Sequence, residues 1–163
     1  MFAMGPHAPV SADILVTASC WEAEPEAEAL VQRAIEAAAR EAAPSAGGAE
    51  VAIVLTDDSG IQTLNRDWRG IDKPTNVLSF PAAPAPGHDA QPQMLGDIAI
   101  AYEVTRREAE SENKPFAHHL SHLAVHGFLH LIGYDHETDE DAEVMENLER
   151  RVLGGLGIPD PYL

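Results

Sequence analysis

The stretch 126–136, HGFLHLIGYDH, sets histidines at 126, 130 and 136 and a glycine at 133, the spacing HxxxHxxGxxH. At about 100° per residue, four positions return a side chain to within about 40° of its start, so His126 and His130 share one helical face. Gly133 can take positive φ, end that helix and turn the chain, so that His136 comes back from a loop. Three neutral imidazoles suit zinc. Three protein ligands leave a fourth tetrahedral position open to water, the pattern of catalytic rather than closed structural zinc. The expected ligands are therefore His126, His130 and His136, holding one zinc ion per chain in a zincin-like metal site. The single cysteine, Cys20, is far from this cluster in sequence, which excludes a cysteine-rich finger and an internal disulfide.

Upstream of this helix the pattern mixes strands and helices. VSADILVTAS reads as a first strand after a loose, Pro-containing extension at 1–9. Pro25 then opens an amphipathic helix carrying Leu30, Val31, Ala34, Ile35 and Ala38, which stops before the turn-rich PSAGG at 44–48. EVAIVLT (50–56) is a second strand, Asp57 or Asp58 caps a short helix through Ile61, Leu64 and Asn65, and NVLSF is β-prone. Residues 81–93 form an exposed Pro-rich loop, and LGDIAIA (95–101) is the next strand. Helical pattern then covers about Tyr102–Glu112, Pro115–Leu131 and, from a capping box at TDED, the run through Met145, Leu148 and Val152. This order predicts an α+β fold, a mixed α/β sandwich. A small, mostly parallel sheet carries the zinc helix packed against it, all within one domain, 1–163.

A formal charge of -17, from 27 acidic and 10 basic residues, argues against unspecific adhesion to nucleic acid or anionic membrane. No apolar run approaches the roughly 18 residues of a membrane span, and the start lacks the layout of a signal peptide. A cytoplasmic location is expected.

The run HGFLHLIGYDH, with LNRDWRGIDKPTNVLSFP and LGDIAIA upstream, resembles the bacterial YbeY proteins over about residues 50–163. The first 45 residues match only in their strand-then-helix pattern. The resemblance implies a zinc-dependent, single-strand-specific endoribonuclease acting in ribosomal RNA maturation and ribosome quality control. It places the zinc ligands on His126, His130 and His136 and the family's functionally important arginine on Arg69. Single-stranded ribosomal RNA and the small ribosomal subunit or its proteins are the implied partners, with no membrane and no DNA.

The same histidine spacing belongs to metzincin proteases, so a peptidase is the rival on metal geometry alone. Metalloproteases carry glutamate directly after the first histidine as general base, whereas this chain has Gly127, with no side chain to take a proton. Phosphodiester hydrolysis tolerates that loss better, because zinc alone lowers the pKa of bound water toward about 7. The remaining need is to offset charge on the phosphate's non-bridging oxygens, for which the guanidinium of Arg69 is the catalytic candidate. Arg66, Arg69 and Lys73 make a basic cluster for a polyanion, and Trp68 between them is placed to stack on an unpaired base. Equally, three charges near a turn make a plain solvated surface, and a tryptophan is often a core anchor. Asp135 is a candidate to orient an imidazole or pass a proton, or else a plain turn residue; His122 is a candidate to stand behind the ligands or line the groove, while His118 and His119 are expected to face solvent. Thr75, Asn76 and Ser79 would line a groove if NVLSF is a sheet edge, and Asp97 is left without a role. The runner-up is a metal-dependent hydrolase of another substrate, including a peptidase that recruits its base from elsewhere; a third reading, from another class, is a non-catalytic ribosome-assembly factor with structural metal.

Overall fold

The computed structural model describes residues 9–82 and 93–163. Nearly all of the expected extension at 1–9 and most of the loop at 81–93 therefore lie outside the described residues. Four strands, β1 (Ser11–Val16), β2 (Glu50–Thr56), β3 (Val77–Pro81) and β4 (Met94–Ala101), form one sheet in the order β1-β2-β4-β3. β1, β2 and β4 run parallel, and β3 pairs antiparallel with β4 at the edge. Pro81 belongs to the end of β3 and not to the loop, a place where its missing N–H interrupts no central ladder.

Among the described residues five α-helices accompany the sheet: α1 (Ala27–Ala42), α2 (Asp58–Arg69), α3 (Tyr102–Ser111), α4 (Phe116–Leu131) and α5 (Asp139–Gly155). Alternation along the strands sorts the sheet's two faces. Val51, Ile53, Leu55, Ile98 and Ile100 meet α1, α4 and α5 in the larger core, while Leu78, Ala99 and Ala101 meet Ile61 of α2 on the other side. The result is the mixed sandwich, with a mostly parallel sheet. Between β1 and α1 a short 3₁₀ turn, Ser19–Ala23, buries Trp21, whose indole N–H donates to the Thr56 carbonyl at 2.8 Å. A five-residue turn has no periodicity to reveal it in the sequence. Helix α1 accordingly begins at Ala27, two residues beyond Pro25.

Local signals end the helices where the chemistry requires. Asp57 accepts the Gly60 N–H to cap α2, and Thr138 accepts the Asp141 N–H to cap α5. At the end of α4, Gly133 takes φ 106°, its N–H bonds to the His130 carbonyl, and the Tyr134 N–H bonds to that of Leu129. That pair of bonds is a Schellman motif, and it reverses the chain so that residue 136 comes back alongside the helix.

One glycine decides how closely α4 approaches the sheet. A Cβ at Gly127 would stand 2.9 Å from Ile98 Cγ2 and 3.3 Å from both Ser79 Oγ and Val77 Cγ2. The Ser79 hydroxyl donates to the Gly127 carbonyl at 2.9 Å, tying helix to edge strand. Among the described residues no helix is long and apolar enough to cross a membrane. Gly127→Val is expected to push α4 off β3 and β4 and lower stability by about 1–3 kcal/mol, read as a reduced urea midpoint.

Candidate metal centre

His126 and His130 sit one turn apart on α4, their Nε2 atoms 3.1 Å from each other. The turn at Gly133 brings the His136 ring to 5.6 Å from that of His126 and 5.1 Å from that of His130. One ring nitrogen from each of the three lies within 4.8 Å of the others. Two nitrogens each about 2.1 Å from a tetrahedral ion stand about 3.4 Å apart, so this all-imidazole donor set fits zinc in both spacing and chemistry. Burial, and then the neighbouring His126 and His136, hold the His130 imidazole below the ordinary histidine range, favouring the neutral form a metal requires.

Behind His126 lies a residue the sequence reading did not single out. Glu149 of α5 is fully buried, and its Oε2 stands 3.2 Å from His126 Nδ1. Its other oxygen accepts from His122 Nε2 and from the Tyr162 hydroxyl, the latter at 2.7 Å. Burial by itself would raise the Glu149 carboxyl; the hydrogen bonds from His122 and His126, with their charge, outweigh it and hold the group down at about 2. A carboxylate on the far nitrogen of a metal-binding imidazole fixes its tautomer and ring direction. The signal for this residue was present: Glu149 falls on the apolar stripe of α5, with Met145, Leu148 and Val152. Charge on such a stripe demands a buried partner.

The three histidines open onto a cleft of about 480 Å³ shared with Arg69, Asn76, Ser79, Asp135 and Glu137. Arg69, at the last turn of α2, donates to the Ser79 carbonyl at 3.1 Å, and its guanidinium carbon lies 5.9 Å from the centroid of the Phe80 ring. Because β3 is a sheet edge, that carbonyl is free to receive a side chain from outside the ladder. Of the three residues expected to line a groove at this edge, Asn76 and Ser79 line the cleft and Thr75 does not.

Other candidates fall elsewhere. Arg66 pairs with its neighbour Asp67 on an exposed surface, and Lys73 is exposed; neither lines the cleft. Trp68 is 73% exposed, so it is no core anchor; its ring meets Phe80 edge-on at 6.3 Å. Asp135 lines the cleft, and its carboxylate accepts the Glu137 N–H at 3.3 Å rather than an imidazole proton. Asp97 is exposed on β4 opposite Phe80. His119 corrects an expectation: it does not face solvent but is 4% exposed, its Nε2 at 2.8 Å from Glu108 Oε1. The α3–α4 turn folds α3 back along α4 and covers that face, which helical spacing alone does not show.

Fold and site together define a cluster of three histidines, two of them helix-borne, that could hold a metal ion at the edge of a mixed sheet, in a cleft shared with one arginine. The model of the family described as Endoribonuclease YbeY matches residues 16–157. Relatives named Endoribonuclease YbeY include one from Rhodopseudomonas palustris (strain BisB18), 65% identical and covering 94% of this chain and 93% of its own. Another, from Nitrobacter hamburgensis, is 67% identical over 92% of this chain and 80% of its own. A solution structure of TM1509 from Thermotoga maritima superposes with a TM-score of 0.56 at 28% identity, covering 89% of this chain and 91% of that one. The chain belongs to the endoribonuclease YbeY family.

Two outcomes are expected of the centre. Glu149→Gln should weaken zinc binding about 10- to 100-fold by chelator competition. Zinc should also be released as pH falls below the ordinary histidine value of about 6.5. The sign follows from His130: with its folded pKa depressed, the unfolded chain binds the extra proton first. Stability of the metal-free protein is therefore fuller above about 6.5 and is lost as pH falls through the folded value. Metal analysis and urea melts across that range read both.

Proposed function

We propose that this protein is a zinc-dependent endoribonuclease of single-stranded RNA that works in ribosomal RNA maturation and ribosome quality control in the cytoplasm. The observation that carries the reading is a single cleft that holds the three imidazoles and the Arg69 guanidinium together. Family membership supplies the RNA substrate class. Zinc on His126, His130 and His136 would supply Lewis acidity at neutral pH, acidifying water and polarising a phosphoryl oxygen.

The chain's own residues do the rest. Arg69 binds the non-bridging oxygens of the phosphate and offsets the charge they gather; one guanidinium N–H is spent on Ser79, which aims the fork, and the others are left for the anion. Edge strand β3 forms one wall of the cleft, so an extended strand of RNA can lie along Asn76 and Ser79. Asp135, in the same cleft, is placed to take up a proton. Trp68, exposed beside Arg69, offers its face to an unpaired base, and Arg66 and Lys73 extend the basic surface outside the cleft.

A peptidase that takes its base from the residue after the first histidine is disfavoured, because residue 127 is glycine and has no side chain to accept a proton. A hydrolase of other substrates that recruits its base from elsewhere is the alternative, which a casein assay tests. A net charge of -17 makes bare RNA a weak and salt-sensitive ligand, which favours delivery of substrate by the small ribosomal subunit or one of its proteins.

Cleavage of a labelled single-stranded RNA should vanish with chelator and return with zinc, while casein stays intact. Arg69→Ala should lower the rate about 10²- to 10³-fold with unchanged circular dichroism, and Arg69→Lys should restore it only in part. His126→Ala should stay folded and lose cleavage. If that variant unfolds, the metal is structural, and if zinc-free protein cuts at full rate, the metal is dispensable; either result overturns the reading.

A further inference from the structure

Beyond the last helix, residues 158–163 run back toward the metal centre, and three bonds hold that return in place. Lys114 donates to the Pro161 carbonyl at 2.7 Å, Arg150 Nε donates to Asp160 Oδ2 at 2.9 Å, and the Tyr162 N–H donates to Asp160 Oδ1 at 2.8 Å. The Arg150 guanidinium lies over the Tyr162 ring, 5.2 Å from its centroid, and the His122 ring meets the same ring edge-on at 5.5 Å. The hydroxyl so placed donates to Glu149 Oε1 at 2.7 Å. The family match ends at residue 157, before this segment begins.

A fully buried carboxylate is stable as an ion only when its lone pairs are met by donors. Glu149 has three, His122, His126 and Tyr162, and the last is the one supplied from outside α4. His122, His126 and Glu149 also form a second group close enough to hold a cation. With each nitrogen and the hydroxyl facing a carboxylate oxygen, however, the arrangement is that of three donors on one acceptor, and a cation there would displace those protons. We infer that Tyr162 is a positioning residue of the metal centre: through Glu149 it fixes the ring of His126, so the segment Asp160–Tyr162 tunes how tightly the histidines bind zinc. The inference rests on the metal-centre reading proposed above.

The test is Tyr162→Phe in the full chain, which keeps the ring between Arg150 and His122 and removes only the hydroxyl. Zinc affinity by chelator competition should fall about 3- to 10-fold, below the effect of losing Glu149 itself. The absorption bands of the cobalt-substituted protein should shift, since the ligand set then holds the metal differently. The metal-free protein should stay folded with a urea midpoint lowered only modestly, because His122 and His126 still meet Glu149. Equal zinc affinity in wild type and Tyr162→Phe would overturn the assignment of Tyr162. So would a lowered urea midpoint with unshifted cobalt bands, because Tyr162 would then be only a packing residue. His126→Ala separates the two readings: if it binds zinc as wild type does, the metal-centre proposal itself falls.

Discussion

The close approach of α4 to the edge of the sheet is the constraint on which the rest of this structure depends. With no side chain at Gly127, the helix settles onto Ile98 and Val77, and the Ser79 hydroxyl reaches its backbone carbonyl. Ser79 also passes its own carbonyl to Arg69. One residue of β3 therefore binds the helix that carries two of the histidines and the arginine of α2. The placing of His126 and His130 relative to the guanidinium follows from the packing of α4 and α2 on β3, rigid elements that keep their geometry, while His136 comes from the loop after α4.

A second constraint is electrostatic. Glu149 sits in the apolar seam between α4 and α5, where an unpaired carboxylate would cost several kcal/mol. Two histidines of α4 and a tyrosine from the chain's return cover it. The packing of α5 on α4 is thereby coupled to the direction of the His126 ring, and the core and the histidine cluster share a residue. His119 and Glu108 repeat the pattern on a smaller scale: a buried imidazole at the α3–α4 joint meets a carboxylate that also accepts from Asn76 on the cleft wall.

The parts of the site that were legible in the sequence are those written by local periodicity. Four-residue spacing puts His126 and His130 on one face, and a glycine with positive φ returns His136. Strand alternation and the caps at Asp57 and Thr138 located most elements. Glu149 was missed although it breaks the apolar stripe of α5, because an acidic residue on a helix ordinarily means solvent and its partners lie 23 and 27 positions away. His119 was misplaced for the same reason: its partner belongs to a different helix.

By itself, then, the sequence determined that His126, His130 and His136 would come together, the mixed class of the fold, and the glycine at residue 127, since each depends on neighbours within about one helical turn or one strand. Only the tertiary structure decided that β3 turns antiparallel to form an edge, that Arg69 alone of the basic cluster enters the cleft, and that Glu149 and Tyr162 stand behind His126. Those facts depend on which faces meet when helices and sheet exclude water together. Burial is a property of the whole packed chain, and no short window of residues contains it.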